Sequence, residues 1–564
     1  MSYYIRQNMC SCCHRCRVLC PQDAVTFLGT KYWIDPDKCI SCGRCADNCH
    51  NDAIILPGKP AEIPAAHPPK TYSCDAAVIG AGASGLMAAV RLAVAGKTVV
   101  VLEKNKEPGG NTWYAGGFHG HYSRLEKEAG APDRREETVN RIIEVTEGLL
   151  DPALIRSTIY ASADMMDFII DHCGCGEDFT LGKTPFGSVG IRYENRTGKK
   201  YERIDASIGP GGMGSYIIEK LTARCGELGV PILTRCAAER LMTDDSGVVC
   251  GVEARDPGGR VTVHSRAVVV AAGSYSHNPI YQNKANPRVL ECKDPVHLFS
   301  VPTCTGDGIT MCEALGAEID WKNAKAMLIG PAHHPFSFAA VCITRENEVV
   351  LVNKEGRRWA SEVDNTMSLR EKILEEPDRI CWAVLDQGTL DMLAKRLCES
   401  RRSDDDHRRI IANYQAEIDA EAKMDVPVKK ADTLEELALL MGVPADTFAA
   451  EIAHYNEMCE AGEDTQFGKP ARFLHPLTQA PYYAFYEKMF QENAAGGMKT
   501  DPETRVLHRD GGTIPGLYAA GDNAAGLMLG TGKYAEILER EMSMFTWAMT
   551  SGYMAGTAAV QDLA

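Results

Sequence analysis

Apolar residues in this chain collect in short runs closed by glycine turns, and between those runs they recur at helical spacing. The clearest case is CDAAVIGAGASGLMAAVRLAVAGKTVVVLEK, residues 74–104. Its first apolar run predicts a buried strand, the stretch after the glycines an amphipathic helix, and TVVVLE a second strand ending in the acid Glu103. VVVAAGSYSHNP (268–279) predicts a third strand ending in small residues, and CTGDGITMCEALGA (304–317) a glycine turn into a helix. IPGLYAAGDNAAGLMLGTGKYAEIL (514–538) predicts a strand, a glycine, the acid Asp522 and a further helix. DTLEELALLMGVPADTFAAEIAHYNEMCEAGED (432–464) predicts two amphipathic helices split by GVPA, with Asp432 or Thr433 as N-cap. ESRRSDDDHRRIIA (399–412) mixes charges as a solvated helical face does.

Ahead of these elements lies LPGKPAEIPAAHPPKTYS, residues 56–73, whose five prolines predict a semi-rigid extended connector and a domain boundary. The segment before it is dense in cysteine. Cys10, Cys13, Cys16 and Cys20, followed by Pro21, read C-x2-C-x2-C-x3-C-P, the run by which thiolates hold cubane iron-sulfur clusters. Cys12 falls out of register. Cys39, Cys42, Cys45 and Cys49 repeat the spacing, with His50 where the first run has proline. C-x2-C also serves zinc, but doubled runs with the matching tails CPQDAV and CHNDAI favour clusters. In two-cluster ferredoxins the fourth cysteine of each run ligates the other run's cluster. That assigns Cys10, Cys13, Cys16 and Cys49 to one [4Fe-4S] cluster and Cys39, Cys42, Cys45 and Cys20 to the other. Residues 1–57 resemble a bacterial two-[4Fe-4S] ferredoxin, which implies one-electron transfer rather than catalysis.

Composition narrows the remaining classes. A chain of 564 residues should split into several domains. Its 45% hydrophobic and 24% charged residues describe an ordinary globular protein, and a net charge of -16 with no basic run argues against nucleic acid as a partner. No apolar stretch is long enough to span a bilayer and the N-terminus has no apolar leader core, so a cytoplasmic protein is expected. Of 22 cysteines eight belong to the two runs; the others read as buried thiols, and Cys173 and Cys175 as inert rather than a redox switch.

The strand, turn, helix and strand of residues 74–104 frame a dinucleotide site. Gly80, Gly82 and Gly85 complete G-x-G-x-x-G: one makes the turn, one lets backbone approach a pyrophosphate, one packs helix on strand, and Glu103 stands where an acid bonds a ribose hydroxyl. EPGGNTWYAGGFHG (107–120) adds a second glycine-rich segment where backbone would lie against a large flat ring. With the later segments in the same order, residues 74 to 564 resemble the fumarate reductase and succinate dehydrogenase flavoprotein family, which includes 3-ketosteroid dehydrogenases and urocanate reductases. The resemblance implies an α/β fold: a Rossmann-like FAD-binding domain in two stretches, 74–330 and 493–564, and an inserted α+β capping domain, 331–492. A small ferredoxin-like domain (1–57) and the proline-rich linker (58–73) precede it.

By the same resemblance the adenosine end of FAD falls to Gly80, Gly82, Ser84, Gly85, Glu103, Lys104 and Ala238. The isoalloxazine falls to Gly110, Asn111, Thr112, Gly116 and Gly117, with Ala272, Gly273, Asp307, Gly521 and Asp522 completing the site. Noncovalent FAD is implied, as in soluble members. The family's reductases pass hydride from flavin N5 to an activated C=C bond while a side chain delivers a proton. LVNKEGRRWASEVDNTMSL (351–369) resembles the stretch leading to the family's catalytic arginine, but that place is Thr366, four residues short of Arg370. Asn493 stands where the family has a carboxylate-gripping histidine and Gly532 where it has a carboxylate-binding arginine. His334 keeps a family histidine, and Arg345 fits an arginine associated with proton relay. Buried carboxylates need paired cations or several donors, so fumarate and succinate are not expected as substrates.

Trp113, Tyr114, Phe118, Met528 and Leu529 read either as a pocket for a bulkier, less charged molecule or as ordinary packing. Tyr534 leads as proton donor, ahead of Lys533 and Arg345, because the ketosteroid members use tyrosines. The expectation is a reductase of an enone or enoate. Its partner would be a ferredoxin-like or other reduced carrier, since no second fingerprint for NAD(P)H appears; the sequence leaves room for a homo-oligomer. The alternatives are a dehydrogenase running the reverse desaturation and an electron-transfer subunit with no substrate of its own.

Overall fold

The structure, a computed structural model, describes residues 2–6, 9–10, 15–22, 24–28, 31–49, 52–57, 66–115, 118–176, 179–183, 189–193, 213–285, 297–298, 300–321, 326–333, 338–364, 369, 372–399, 412–423, 428–494, 496–526 and 542–564. Every apolar run noted above that lies among them becomes a strand of one sheet. Its order is Ile232–Leu233, Val99–Leu102, Ala76–Ile79, Ala267–Val270, Thr513–Ala519 and Arg505–Leu507. The first five are parallel, with Ala76 beside Val99 and Ala267 beside Ala76, and Arg505–Leu507 runs antiparallel at the edge. Central strands such as Ala76–Ile79, Val99–Leu102 and Ala267–Val270 are buried at every position, as expected of a parallel sheet covered on both faces. Helix Ala83–Val94 packs on Met544–Asp562, which in turn packs on Pro152–His172. A four-stranded sheet, Ala237–Thr243, Val249–Asp256, Gly259–His264 and Lys70–Ser73, lies beside this core.

Strand Lys70–Ser73 corrects the reading of the linker. The end of the proline-rich segment is not a loose connector: it pairs in parallel with Gly259–His264 and is pinned by His67 Nε2 and Lys70 Nζ, 2.7 and 2.9 Å from the Asp256 carboxylate. Proline masks the alternation there, and the partner strand lies some 190 residues away.

The cap is a mixed sheet around the long strand Tyr482–Ala494, which pairs with Ile380–Asp386, Ala326–His333, Val428–Ala431 and His297–Leu298; Val350–Asn353 completes it. Strand Ala326–His333 crosses the expected boundary at residue 331, so the cap sheet begins earlier in the chain than the segment pattern implied. The two amphipathic helices form as Leu434–Met441 and Ala445–Ala461; Thr433 is the N-cap, its hydroxyl accepting from the Glu436 N–H at 3.2 Å. Four charged side chains with no exposure lie inside the cap. Arg358 donates to Glu362 at 2.7 and 2.9 Å and to Asp464 at 2.7 Å, and Lys469 Nζ stands 3.4 Å from Glu362. The charged stretch 400–411 lies outside the described residues.

The N-terminal module is a small two-fold arrangement. Tyr4–Ile5 pairs with Ile54–Ile55 and Val25–Leu28 with Lys31–Ile34, while the short helices Arg15–Val18 and Arg44–Asp47 carry Cys16 and Cys45. The repeat extends to sulfur: Ala24 N–H donates to Cys20 Sγ and Ala53 N–H to Cys49 Sγ, both at 3.2 Å.

Candidate active site

Strand Ala76–Ile79 ends in a turn that a side chain would block. A β-carbon on Gly80, whose φ is +101°, would fall 2.2 Å from the Ala271 carbonyl oxygen, and one on Gly85 would fall 1.9 Å from the Gly80 carbonyl oxygen. Helix Ala83–Val94 therefore starts against the strand tip, and its N-cap, Gly82, offers no side chain to its first N–H groups. Such an uncapped N-terminus suits a phosphate. Ala83 N–H donates to Thr112 Oγ1 at 3.1 Å, tying the second glycine-rich segment to the same turn.

The turn opens into a cavity. Gly80, Gly82, Ser84, Glu103, Lys104, Gly110, Asn111, Thr112, Ala238, Ala272, Gly273, Asp307 and Asp522 all line it. Of the other expected residues, Gly85 packs beneath the turn. Gly521 holds Asp522 in place, donating its N–H to Ser551 Oγ at 2.9 Å and accepting from Trp547 Nε1 at 3.1 Å. Gly116 and Gly117 lie outside the described residues.

Glu103 is buried at one end, its carboxylate accepting from Ala81 N–H at 2.8 Å and Asn105 N–H at 2.7 Å, and burial pushes its pKa up. At the wall Lys104 Nζ donates to Asp307 at 2.7 Å, so these two expected cofactor residues also neutralise each other. Asn523, next to the expected Asp522, was not singled out by sequence. Its carboxamide accepts from Ala272 N–H and donates to the Gly273 carbonyl at 2.9 Å, closing the cavity floor. Asn105, Cys236, Thr303, Cys304 and Ala548 also line the cavity; Asn105, Cys236 and Thr303 come from loops with no motif, Cys304 opens the glycine-turn segment 304–317 and Ala548 lies in helix Met544–Asp562, and only the fold gathers them. A space lined by glycine backbone, the start of an uncapped helix and a buried acid fits FAD.

The catalytic candidates are less fully placed. His334, Thr366, Arg370, Met528, Leu529, Gly532, Lys533 and Tyr534 lie outside the described residues. Asn493 sits in strand Tyr482–Ala494 opposite Met327. Arg345 follows helix Phe338–Thr344 with its side chain exposed. Glu362, within the stretch 351–369 that resembles the family's approach to its catalytic arginine, is spent on Arg358, Lys469 and the Leu351 N–H. Of the aromatic residues expected at the flavin face, Trp113 turns back to donate to the Pro108 carbonyl at 2.8 Å. Phe118 is buried in the core, edge-on to Phe545 at 5.0 Å. For these two the packing alternative holds.

In the N-terminal module Cys20, Cys39, Cys42 and Cys45 line one small cavity with Tyr3, Ile34 and Ile40. These are the four cysteines grouped by the crossed ligand pattern. Burial pushes the Cys45 thiol up to about 11, and Cys39, Cys20 and Cys42 add to the rise, so a positive iron centre is what would ionise the set. Among the described residues no three His, Cys, Asp or Glu side chains stand close enough to chelate a single metal ion; these four thiols surround a space instead, and the donor set fits a cluster. Cys10, Cys16 and Cys49 pack on the same small core, and Cys13 lies outside the described residues.

Comparison with known proteins agrees with this geometry. The family model described as an FAD binding domain matches residues 75–534, and one described as a 4Fe-4S binding domain matches residues 32–55. The chain is 28% identical over 487 residues to a vinyl phenol reductase of Lactiplantibacillus plantarum, covering 81% of this chain and 91% of that protein. It is 27% identical over 476 residues to a urocanate reductase of Eggerthella lenta, covering 84% and 73%. Among solved structures, the open conformation of a flavocytochrome c3 fumarate reductase superposes with a TM-score of 0.66 at 23% identity, over 87% of this chain and 79% of that one. No helix among the described residues is long and apolar enough to cross a membrane. The chain thus belongs to the FAD-binding family of fumarate reductase flavoproteins, an FAD-dependent oxidoreductase preceded by a 4Fe-4S ferredoxin-type segment.

Proposed function

We propose that this protein is an iron-sulfur flavoenzyme that accepts electrons from an external reduced carrier protein and saturates an activated C=C bond, an enone or enoate, of a substrate other than fumarate. The observation that carries this reading is the joining in one chain of an FAD-shaped cradle and a cysteine-lined cavity. When bound, FAD would supply hydride transfer and two [4Fe-4S] clusters one-electron carriage.

The chain's own residues divide the remaining work. Gly80, Gly82 and Ser84 hold the pyrophosphate end, Glu103 accepts from the ribose, and Asp522, fixed through Gly521, accepts from the ribityl chain. Cys10, Cys13, Cys16 and Cys49 hold one cluster and Cys39, Cys42, Cys45 and Cys20 the other. Tyr534 Oη delivers the proton, with Lys533 Nζ next in line and His334 and Asn493 as polar walls of the substrate site. Thr366, Asn493 and Gly532 offer no cation where a dicarboxylate would need one. The relatives support the reading: both are named as reductases, and vinyl phenol carries a ring-conjugated C=C bond.

The test is anaerobic. Protein reconstituted with iron, sulfide and FAD is reduced with dithionite, and enones and aryl-conjugated enoates are added while flavin absorbance is followed. Reoxidation by one of them and not by fumarate is expected, and Tyr534→Phe should slow it by about 10²-fold or more, the usual weight of a positioned acid. If no alkene reoxidises the flavin while an oxidised carrier protein does, the chain is an electron-transfer subunit instead.

A further inference from the structure

The cysteine module meets the FAD-binding module through a compact ionic contact. Asp52 lies three residues beyond Cys49 and directly before Ala53, whose N–H donates to Cys49 Sγ. Its carboxylate is held from the other module: Oδ1 stands 3.3 Å from Lys106 Nζ and Oδ2 stands 2.8 Å from Arg235 Nη2. Lys106 Nζ also donates to the Asp47 carbonyl at 3.3 Å, and Arg6 Nη2, from within the module, donates to the Asp52 carbonyl at 2.5 Å. The segment carrying Cys49 is thus gripped on both sides.

Both cations are chain neighbours of residues that line the FAD cradle, Lys106 of Asn105 and Arg235 of Cys236. Lys106 is three residues past Glu103, and Arg235 N–H donates to the Asn105 carbonyl at 2.8 Å while Cys236 N–H donates to the Glu103 carbonyl at 2.8 Å. Asp52 and Arg235 both adopt left-handed backbone, with φ of 49° and 52°, which an arginine keeps only where its surroundings fix it. The cysteine-lined cavity borders solvent at Cys42, which is exposed, and at Ile40, between Cys39 and Cys42, which is 60% exposed. Long-range attraction does not dock the module. Residues 1–57 hold six Lys and Arg against five Asp, while the whole chain carries -16, so a local pair must set the seat.

We propose that Asp52 is a positioning residue: an ionic clamp with Lys106 and Arg235 that seats the Cys49 side of the cysteine module against the FAD cradle and leaves the Cys42 side to an incoming electron carrier. The clamp rests on the reading that the clusters serve FAD. It makes and breaks no bond; it fixes distance.

The test uses the holoprotein and three variants: Asp52→Lys, the double variant Lys106→Glu with Arg235→Glu, and all three substitutions together. Iron and FAD content are measured first. Flavin bleaching is then followed after mixing with a chemically reduced two-cluster ferredoxin, and hydrogen exchange is followed in peptides spanning 47–53 and 103–107. Reversal on one side alone should slow bleaching several-fold and raise exchange in both peptides at unchanged iron and FAD content, and the combined variant should recover both. High salt should slow the wild type and leave Asp52→Lys unaffected. Unchanged bleaching and exchange in Asp52→Lys and in the double variant would overturn the clamp. If Asp52→Lys loses iron, the double variant decides, because it leaves the cysteine module untouched. No alkene enters the assay, so failure of the clamp and failure of the reductase reading are separable.

Discussion

At Gly85 the demand on sequence is absolute, because a β-carbon would land on the Gly80 carbonyl oxygen. Gly85→Ala must lift helix Ala83–Val94 from the strand tip, at a cost of about 1–3 kcal/mol for overpacking. Purified Gly85→Ala protein is expected to carry less FAD per chain than wild type and to melt at lower temperature, both read directly by absorbance. Single residues also test the crossed ligand pattern. Cys20→Ser should lower iron from about eight to about four atoms per chain, as expected of two four-iron cubanes, while Cys12→Ser should lower none. Loss of all iron in both variants would show that the runs do not divide as proposed. The residues that could be read from sequence were those whose placement is fixed by spacing, such as Gly80 and Gly85 at the turn and Glu103 in the cavity wall. Trp113 and Phe118 could not be, because an aromatic residue near a glycine segment serves a flavin or a core equally well, and only the contacts made in the fold, Pro108 for Trp113 and Phe545 for Phe118, decide which.

Elements show the same division. The strands and helix of residues 76–102 were legible because periodicity and length agree with burial. Strand Lys70–Ser73 was not, since its pairing partner is distant and its neighbours are prolines. Nor was the buried quartet of the cap, where Arg358, Glu362, Asp464 and Lys469 come from two separate segments and a local reading assigned Glu362 to a catalytic stretch. The structure gives that network a fold-keeping role. Arg358→Met would leave Glu362 and Asp464 buried without their guanidinium, at a cost of about 3–5 kcal/mol. Differential calorimetry should show the cap destabilised by that order while FAD content per folded chain stays at the wild-type level. A loss of bound FAD with unchanged thermal stability would instead place the quartet at the cofactor.

For the whole molecule, the order of modules and the family were legible, because a doubled cysteine run and a dinucleotide fingerprint are local patterns. The seating of one module on the other was not, since Asp52, Lys106 and Arg235 meet only in the fold. The central claim is that one chain gathers single electrons and releases them in pairs to an alkene. It is tested most directly by counting. Fully reduced under anaerobic conditions, each chain should hold about four electrons, one per cluster and two on FAD, and adding the alkene that reoxidises the flavin should yield about two saturated products per chain. A chain that takes up these electrons and forms no saturated product with any alkene would contradict the claim.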